Sequence, residues 1–440
     1  MMMTPLAFGL LLAVQDPTPL TLDQAVSRAL DRYPSVLAAR ARRDAARAGI
    51  GEATAAWWPR LSVDGSAVRH QEPMIVAPLH GFDPTRPPEF DPTLLQGNVA
   101  LSYTLFDGGV RSARVRQARA ARATAEAGVE AAEAELIASV TTTYLGALTA
   151  RGVLEAHDRR LAALTGERAR VTQLLAEGTA AQVELLRVDA ALAAAAADRV
   201  TAQQQLSLAL RELARLVEQD RRTVTAGSLR AVRLADTSRI EDEGSLITRA
   251  RAANPDVERA RQAVVTARAA HAAARAAWFP EIRLQGAYLG YGSGAGDFIA
   301  EWQGGARVSF PVFTGGARGS ASARAAAQAR SADSELALAE RRIEAGVDQA
   351  LSVVTEAATR RAALAAAVGH LMEVVRIERL RLEAGAGVQT DYLRAEAELL
   401  SARASELEAR HAEISARVEL ARVTGDLTPA VLRRIVETTS

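Results

Sequence analysis

The chain of 440 residues contains no cysteine, which excludes disulfides, thiolate metal ligands, thiol catalysis and an N-terminal lipid-anchored cysteine. It contains no lysine either, so all 53 basic side chains are arginine. That removes the phosphate-gripping lysine of a Walker loop and any Schiff-base lysine. Aromatics make up 4% and the formal net charge is +1. Such a chain has no field that would gather a polyanion, and nucleic acid is not an expected partner. The six histidines (His70, His80, His157, His271, His370 and His411) are scattered without HxxxH spacing. No metal, cofactor or catalytic residues are expected, because no nucleophile, base and orienting group cluster in the sequence. No window approaches the roughly 18 to 20 apolar residues of a membrane-spanning helix. If the chain crosses a membrane, it does so with strands.

What is present is a long internal repeat, which overrides any domain count taken from length. The first copy reads Trp57-Trp58-Pro59, alternating residues from Leu61 to Arg69 and from Val99 to Leu105, then Phe106-Asp107-Gly108-Gly109 and an alanine-rich helix from about Arg111 to Glu177. The second reads Trp278-Phe279-Pro280, Ile282 to Tyr291, Trp302 to Phe310, then Phe313-Thr314-Gly315-Gly316 and a helix from about Ala317 to Ala384. Upstream of each copy lie two shorter helical stretches broken at Tyr33-Pro34 and Asn254-Pro255, where proline disfavours helix in the residue before it. The offset between copies is 221 positions before the hairpins and 207 after them.

Period-two alternation marks half-buried strands. Trp302, Gly304, Ala306, Val308 and Phe310 share one face, with Gln303, Gly305, Arg307 and Ser309 on the other. Val99, Leu101, Tyr103 and Leu105 form an apolar face in the first copy, as Ile282, Leu284, Gly286 and Tyr288 do in the second. Trp57, Trp58, Trp278, Phe279 and Trp302 bracket these strands as interfacial aromatics bracket a transmembrane barrel. The stretches His70 to Gln96 and Gly290 to Gly296, rich in proline and glycine respectively, are expected to be exposed loops.

In the long helices a 4-3 spacing runs Ile343, Val347, Ala350, Val354, Ala357, Arg361, Leu364, Val368, Leu371, Val375, Glu378, Leu382, echoed 207 residues earlier from Leu136 to Leu175 through His157. A sustained seven-residue repeat means coiled-coil packing, so His157 reads as a seam residue. Each long helix ends in a tight turn, Glu177-Gly178-Thr179 and Glu383-Ala384-Gly385-Ala386, and a returning helix follows. About 67 residues make a rod of roughly 100 Å, which the returning helix and the pre-strand helix cover end to end.

The order and duplication of these motifs resemble the TolC-like outer-membrane efflux protein family over nearly the whole chain. The resemblance implies a fold that is mainly α with β: long antiparallel helical hairpins forming an α-barrel, with four strands per protomer contributing to a trimeric 12-stranded transmembrane β-barrel. Four strands are too few to close a barrel alone, and three protomers supply an even number within the bacterial range. The implied function is a passive exit duct in the outer membrane, extending into the periplasm and working with a periplasmic adaptor (membrane fusion) protein, an inner-membrane pump and outer-membrane lipid. By the same resemblance, Glu177, Gly178, Thr179, Ala384, Gly385 and Ala386 are adaptor-docking turns, and Glu184 and Asp391 are acids at the periplasmic mouth. First-turn acids also complement a helix N-terminus. Leu382, Gly387 and Arg394 depart from polar or acidic residues that some members carry nearby. The competing reading is a soluble periplasmic coiled-coil adaptor or scaffold with no barrel.

The expected organisation is a first repeat over 16–220 (helices 21–56 and 111–217, hairpin 60–105), an inter-repeat equatorial segment over 221–244, a second repeat over 245–425 (helices 246–277 and 317–424, hairpin 281–310) and a tail over 426–440. Leu6 to Val14 reads as the core of a signal peptide within residues 1–15. It lacks a basic start, Arg28 being the first positive side chain, so a mis-assigned start codon is the alternative.

Overall fold

The computed structural model describes residues 19–80, 84–85, 87–220, 222–235, 241–294, 296, 298–384 and 386–438. The expected signal peptide and Gly385 lie outside them. In order, the elements are α1 (Leu22–Arg32), α2 (Pro34–Ala55), β1 (Arg60–Ile75), β2 (Phe90–Phe106), α3 (Val110–Ala176), α4 (Gln182–Leu216), β3 (Val232–Leu234), α5 (Glu243–Ala253), α6 (Pro255–Ala276), β4 (Glu281–Ser293), β5 (Phe298–Ser309), α7 (Ala317–Glu383), α8 (Gln389–Val423), α9 (Pro429–Ile435) and β6 (Val436–Thr438). The repeat is kept residue for residue in the helices. α1 and α5 have 11 residues each, α2 and α6 have 22, α3 and α7 have 67, and α4 and α8 have 35.

Local chemistry sets these bounds. Thr21 begins α1 with a reciprocal capping box: the Gln24 N–H donates to its hydroxyl at 3.2 Å, and its own N–H donates to Gln24 Oε1 at 3.1 Å. Tyr33 and Asn254 end α1 and α5 in extended backbone, as a following proline demands.

The chain forms two compact units. One gathers Val129–Val257 with the described residues before Arg40 and after Ala339; the other comprises Arg40–Gly128 and Glu258–Ala339. In the first unit, α3 and α4 run antiparallel, tied by ion pairs Asp158–Arg199 (2.5 Å), Arg160–Asp198 (3.3 Å) and Arg168–Asp189 (2.7 Å). Such half-exposed pairs stabilise by less than about 1 kcal/mol each, and they fix register more than they add stability. On the 4-3 seam, Leu136, Val140, Ala147 and Val171 in α3, and Val347, Ala350 and Val354 in α7, are buried, while Ile137, Tyr144, Leu145 and Leu148 beside the seam of α3 are buried as well. The polar seam residue Arg361 is tolerated because its Nε donates to Glu413 Oε2 across to α8. Glu413 is only 1% exposed and is also held by Arg417 at 2.9 Å.

The largest core cluster surrounds Tyr144, Ile137, Val140 and Leu145 of α3, with Val26 of α1, Leu213 of α4 and Ile414 of α8. Its counterpart in the second repeat is smaller, built on Leu246, Ala250 and Val347. The difference is a strap. Leu229 and Val232 from between the repeats, and Leu427, Leu432 and Val436 from the C-terminal stretch, cover the first cluster. The inter-repeat segment and the C-terminal tail contain, among the described residues, a turn of 3-10 helix at Ala226–Ser228 and a ribbon in which β3 pairs antiparallel with β6, Arg233 opposite Glu437. Three-residue strands carry no readable periodicity, and each exists because the other supplies its hydrogen bonds. Leu20 is tied to the same strap, its N–H donating to Ser228 O at 2.8 Å.

The second unit holds an antiparallel sheet of order β1-β2-β4-β5. The hairpin strands run well into the expected loops. β1 continues to Ile75, with residues 70–73 unpaired between Arg69↔Thr93 and Met74↔Asp91. Pro73 therefore sits where no ladder hydrogen bond is required, which reconciles it with a strand. β4 likewise runs through Gly290 to Ser293. Trp302 does not open its strand: it is the fifth residue of β5, paired with Tyr288 and 80% exposed. Among the described residues, no strand pairs with the outer edge of β1 or of β5.

Candidate functional site: helix tips and strand-to-helix collar

The α3–α4 tip is closed by backbone hydrogen bonds from Gly178 N–H to Leu175 O (3.1 Å) and from Thr179 N–H to Leu174 O (2.9 Å). The Thr179 hydroxyl donates to the same Leu174 oxygen at 3.0 Å. Gly178 has φ +76°, a conformation that glycine adopts without steric cost and that ends helices by satisfying their last carbonyls. The Glu177 side chain accepts from Gln173 Nε2 at 3.0 Å. At the α7–α8 tip, Ala384 N–H donates to Leu380 O (3.0 Å) and Ala386 N–H to Arg381 O (2.9 Å). Gly387 is glycine for a steric reason, since a Cβ there would lie 2.9 Å from Leu382 N.

Glu184 and Asp391 occupy the same place, the third residue of α4 and of α8. Both are exposed. The caps before them, Ala181 and Val388, make no side-chain hydrogen bond, so these acids are the negative groups nearest the free N–H ends. Glu184 also contributes to the field that raises the Arg170 pKa, after the larger effect of the hydrogen bond to Glu167. Glu167, 4% exposed, is a buried tip carboxylate gripped by Arg170 at 2.7 and 2.9 Å. Its only sequence signal is the i,i+3 spacing.

In the second unit each Gly-Gly turn hands a strand to a long helix, and an arginine locks the junction. Arg111 stacks over Trp57 at 4.4 Å from the ring centroid, and its guanidinium donates to Ala56 O (3.4 Å) and Leu105 O (3.3 Å). Asp107 completes the clamp, accepting from Gly109 N–H (3.0 Å), Arg111 N–H (2.9 Å) and Arg111 Nε (3.1 Å). In the second repeat Arg318 stacks over Trp278 at 4.7 Å and donates to Ala277 O (3.3 Å) and Val312 O (3.0 Å). Thr314 stands where Asp107 stood, and Arg318 Nε has no hydrogen-bond partner. Sequence reading marked Trp57, Trp278, Gly108, Gly109, Gly315 and Gly316 but missed these arginines, whose signal is the Arg two residues after each Gly-Gly pair.

The polar rows of the strands, including Arg60, Ser102, Thr104, Glu281, Arg283 and Ser309, border one open recess of ≈ 1160 Å³. The apolar rows point away from it by the strand period. Trp58, Phe279 and Trp302 are exposed at 75%, 55% and 80%. Among the described residues no helix is long and apolar enough to cross a membrane, and no group of three or more His, Cys, Asp or Glu side chains is placed to hold a metal.

Known proteins resemble the chain over most of its length. The family described as "Outer membrane efflux protein" matches residues 25–219 and 246–426. Protein CyaE of Bordetella pertussis is 27% identical in an alignment of 400 positions that covers 87% of this chain and 79% of that protein. Among solved structures, the Campylobacter jejuni CmeC outer membrane channel superposes with a TM-score of 0.75 at 17% identity, covering 92% of this chain and 85% of that one. The outer membrane protein VceC of Vibrio cholerae gives 0.73 at 19% identity, covering 92% and 96%.

Proposed function

The chain belongs to the outer membrane efflux protein family, and from that membership we propose that it works as a passive homotrimeric exit duct for a tripartite efflux or type I secretion assembly. It resides in the outer membrane and extends into the periplasm, and the family is one of channels rather than enzymes. One observation carries the trimer: a four-stranded sheet with two open edges, apolar on one face and polar on the other. Such a sheet cannot close by itself, whereas three copies give twelve strands within the range of bacterial barrels.

On this reading the apolar rows face outer-membrane lipid, and Trp57, Trp58, Trp278 and Phe279 form the interfacial belt, with Trp302 in the apolar band. The polar rows line water. Tip residues Glu177, Gly178, Thr179, Ala384, Gly385 and Ala386 meet a periplasmic adaptor that recruits an inner-membrane pump. Glu184 and Asp391 place carboxylate rings at the mouth and favour cations by field. Energy and cargo selection belong to the partners.

Membrane fractionation followed by planar-bilayer recording tests the proposal. The expected result is an outer-membrane species whose gel mobility shifts on heating and which gives stepwise conductance. A soluble monomer without conductance would overturn it.

A further inference from the structure

The polar rows of the four-stranded sheet are unevenly charged along their length. Arg60 opens β1, and Arg283 and Arg307 stand third from the helix-joined ends of β4 and β5. Farther from the helices the same rows carry Asp64 and Glu301 and no arginine. Arg283 is paired directly opposite Arg307, and like charges in that position repel. Arg60 is paired with Ser102, and Ser102 with Gln285, which sets Arg60 on the same face two strands away from Arg283 and one step along.

The start of α3 adds to this charge instead of offsetting it. Arg111 and Arg114 lie in its opening turns, and its first turn contains no acidic residue. A helix N-terminus already carries partial positive charge, so cations there raise the local potential further. The recess at the collar is bordered by Arg60, Arg111, Arg114 and Arg283 on one side of the charge balance, and by Glu52, Asp107 and Glu281 on the other. Two of those carboxylates are already engaged, Asp107 with Arg111 at 3.1 Å and Glu281 with Arg283 at 2.5 Å. Among the described residues, Arg60, Arg114 and Arg307 have no carboxylate within ion-pairing distance. All three are exposed, and Glu52 is the one bordering carboxylate left to balance them.

We propose that this end of the polar face binds a soluble multivalent oxyanion, a phosphate or sulfate group, between Arg283, Arg307 and Arg60. Opposed residues of an antiparallel pair hold their Cβ atoms about 5 Å apart, so the Arg283 and Arg307 side chains can close on one group. Each guanidinium offers a planar fork of donors that meets phosphate oxygens two at a time. An anion seated there turns a repulsive pair into a shared clamp, and Arg60 and Arg114 add to the field that draws it in. The ligand is soluble and not a lipid headgroup, because the polar rows point away from the apolar rows by the strand period. The inference rests on the duct reading and deepens it: a water-filled bore with arginine on its wall retains anionic solutes or cargo at that level.

The test uses inorganic pyrophosphate on the purified full chain in detergent, at low ionic strength where screening is weakest. Arg60→Gln/Arg307→Gln removes two exposed side chains without stranding a carboxylate. Arg69→Gln is the control, since Arg69 is also exposed but belongs to the opposite row of β1. Titration calorimetry should give one pyrophosphate per chain, with a dissociation constant raised at least tenfold in the double variant and unchanged in Arg69→Gln. In planar bilayers pyrophosphate should lower the parent's current and lower that of the double variant much less. Equal affinity in the parent and the double variant, or an equal loss in Arg69→Gln, overturns the site. Stepwise conductance with no pyrophosphate binding removes the site and leaves the duct standing. Arginine-dependent binding by a chain that never conducts keeps the site and removes the duct reading.

Discussion

The hydroxyl of Thr149 lies 2.6 Å from Nδ1 of His411, a contact between α3 of one repeat and α8 of the other across 262 residues of chain. His411 is only 5% exposed. Burial, and then the neighbouring Arg410 and Arg151, push its pKa down from 6.5 to about 4, with Glu406 opposing.

Because the folded imidazole resists protonation, its contribution to stability is fully present above about pH 6.5 and is lost as pH falls towards 4. The loss is about 2 kcal/mol at pH 5. Urea unfolding at pH 7.5 and pH 5 should show this loss in the parent and a smaller one in His411→Gln. Equal losses would mean that the histidine is not the titrating group.

The two collar arginines should not be equivalent. Arg111→Ala strands Asp107, whose carboxylate is mostly buried, and is expected to cost about 2 to 4 kcal/mol. Arg318→Ala removes a stacking contact and two carbonyl bonds with no carboxylate left behind, and about 1 to 2 kcal/mol is expected. Thermal melts of the two variants give the order, and a reversed order would contradict the clamp described for Asp107.

At the tip, Gly178→Val forces a β-branched side chain into positive φ, which costs about 2 kcal/mol locally. Efflux should fall severalfold while trimers in the outer membrane stay at parental levels. Normal efflux in cells with a normal trimer band would count against adaptor docking at this turn.

If Glu184 and Asp391 ring the mouth, Glu184→Gln/Asp391→Asn should lower the cation-to-anion permeability ratio by severalfold in planar bilayers, most clearly at low salt. An unchanged reversal potential across a salt gradient would leave these acids with the helix-terminus role alone.

The long-range repeat was legible because its markers are local: prolines that stop helices, Gly-Gly pairs at strand exits, and apolar spacing along rods. The mainly helical fold with four strands follows from those markers. Strand lengths were not legible, because Pro73 and Pro92 read as loop, whereas the irregular pairing between Arg69 and Met74 lets a strand continue past them. Nor was the β3–β6 ribbon, since Val232 and Val436 each need a partner some two hundred residues away to become strand at all. The buried carboxylates Glu167 and Glu413 and the Thr149–His411 pair escaped for a related reason. Each is fixed by which helix faces become neighbours, and a single sequence does not number those neighbours.

The strap that covers the first core cluster also imposes an order on maturation. Tyr144 Oη is within hydrogen-bonding distance of both Leu20 O (2.8 Å) and Arg230 O (2.7 Å), and Arg233 grips Glu437 204 positions on. A polypeptide threaded N-terminus first into the periplasm thus presents Leu20 early, yet cannot secure it until residues 228–230 arrive, and cannot seal that strap until Val436–Thr438 follow. Chaperone holding time should track the transit of the last dozen residues rather than of the long helices, and a translocation pause near residue 425 should leave the nascent chain open to protease around Leu20 and Arg230.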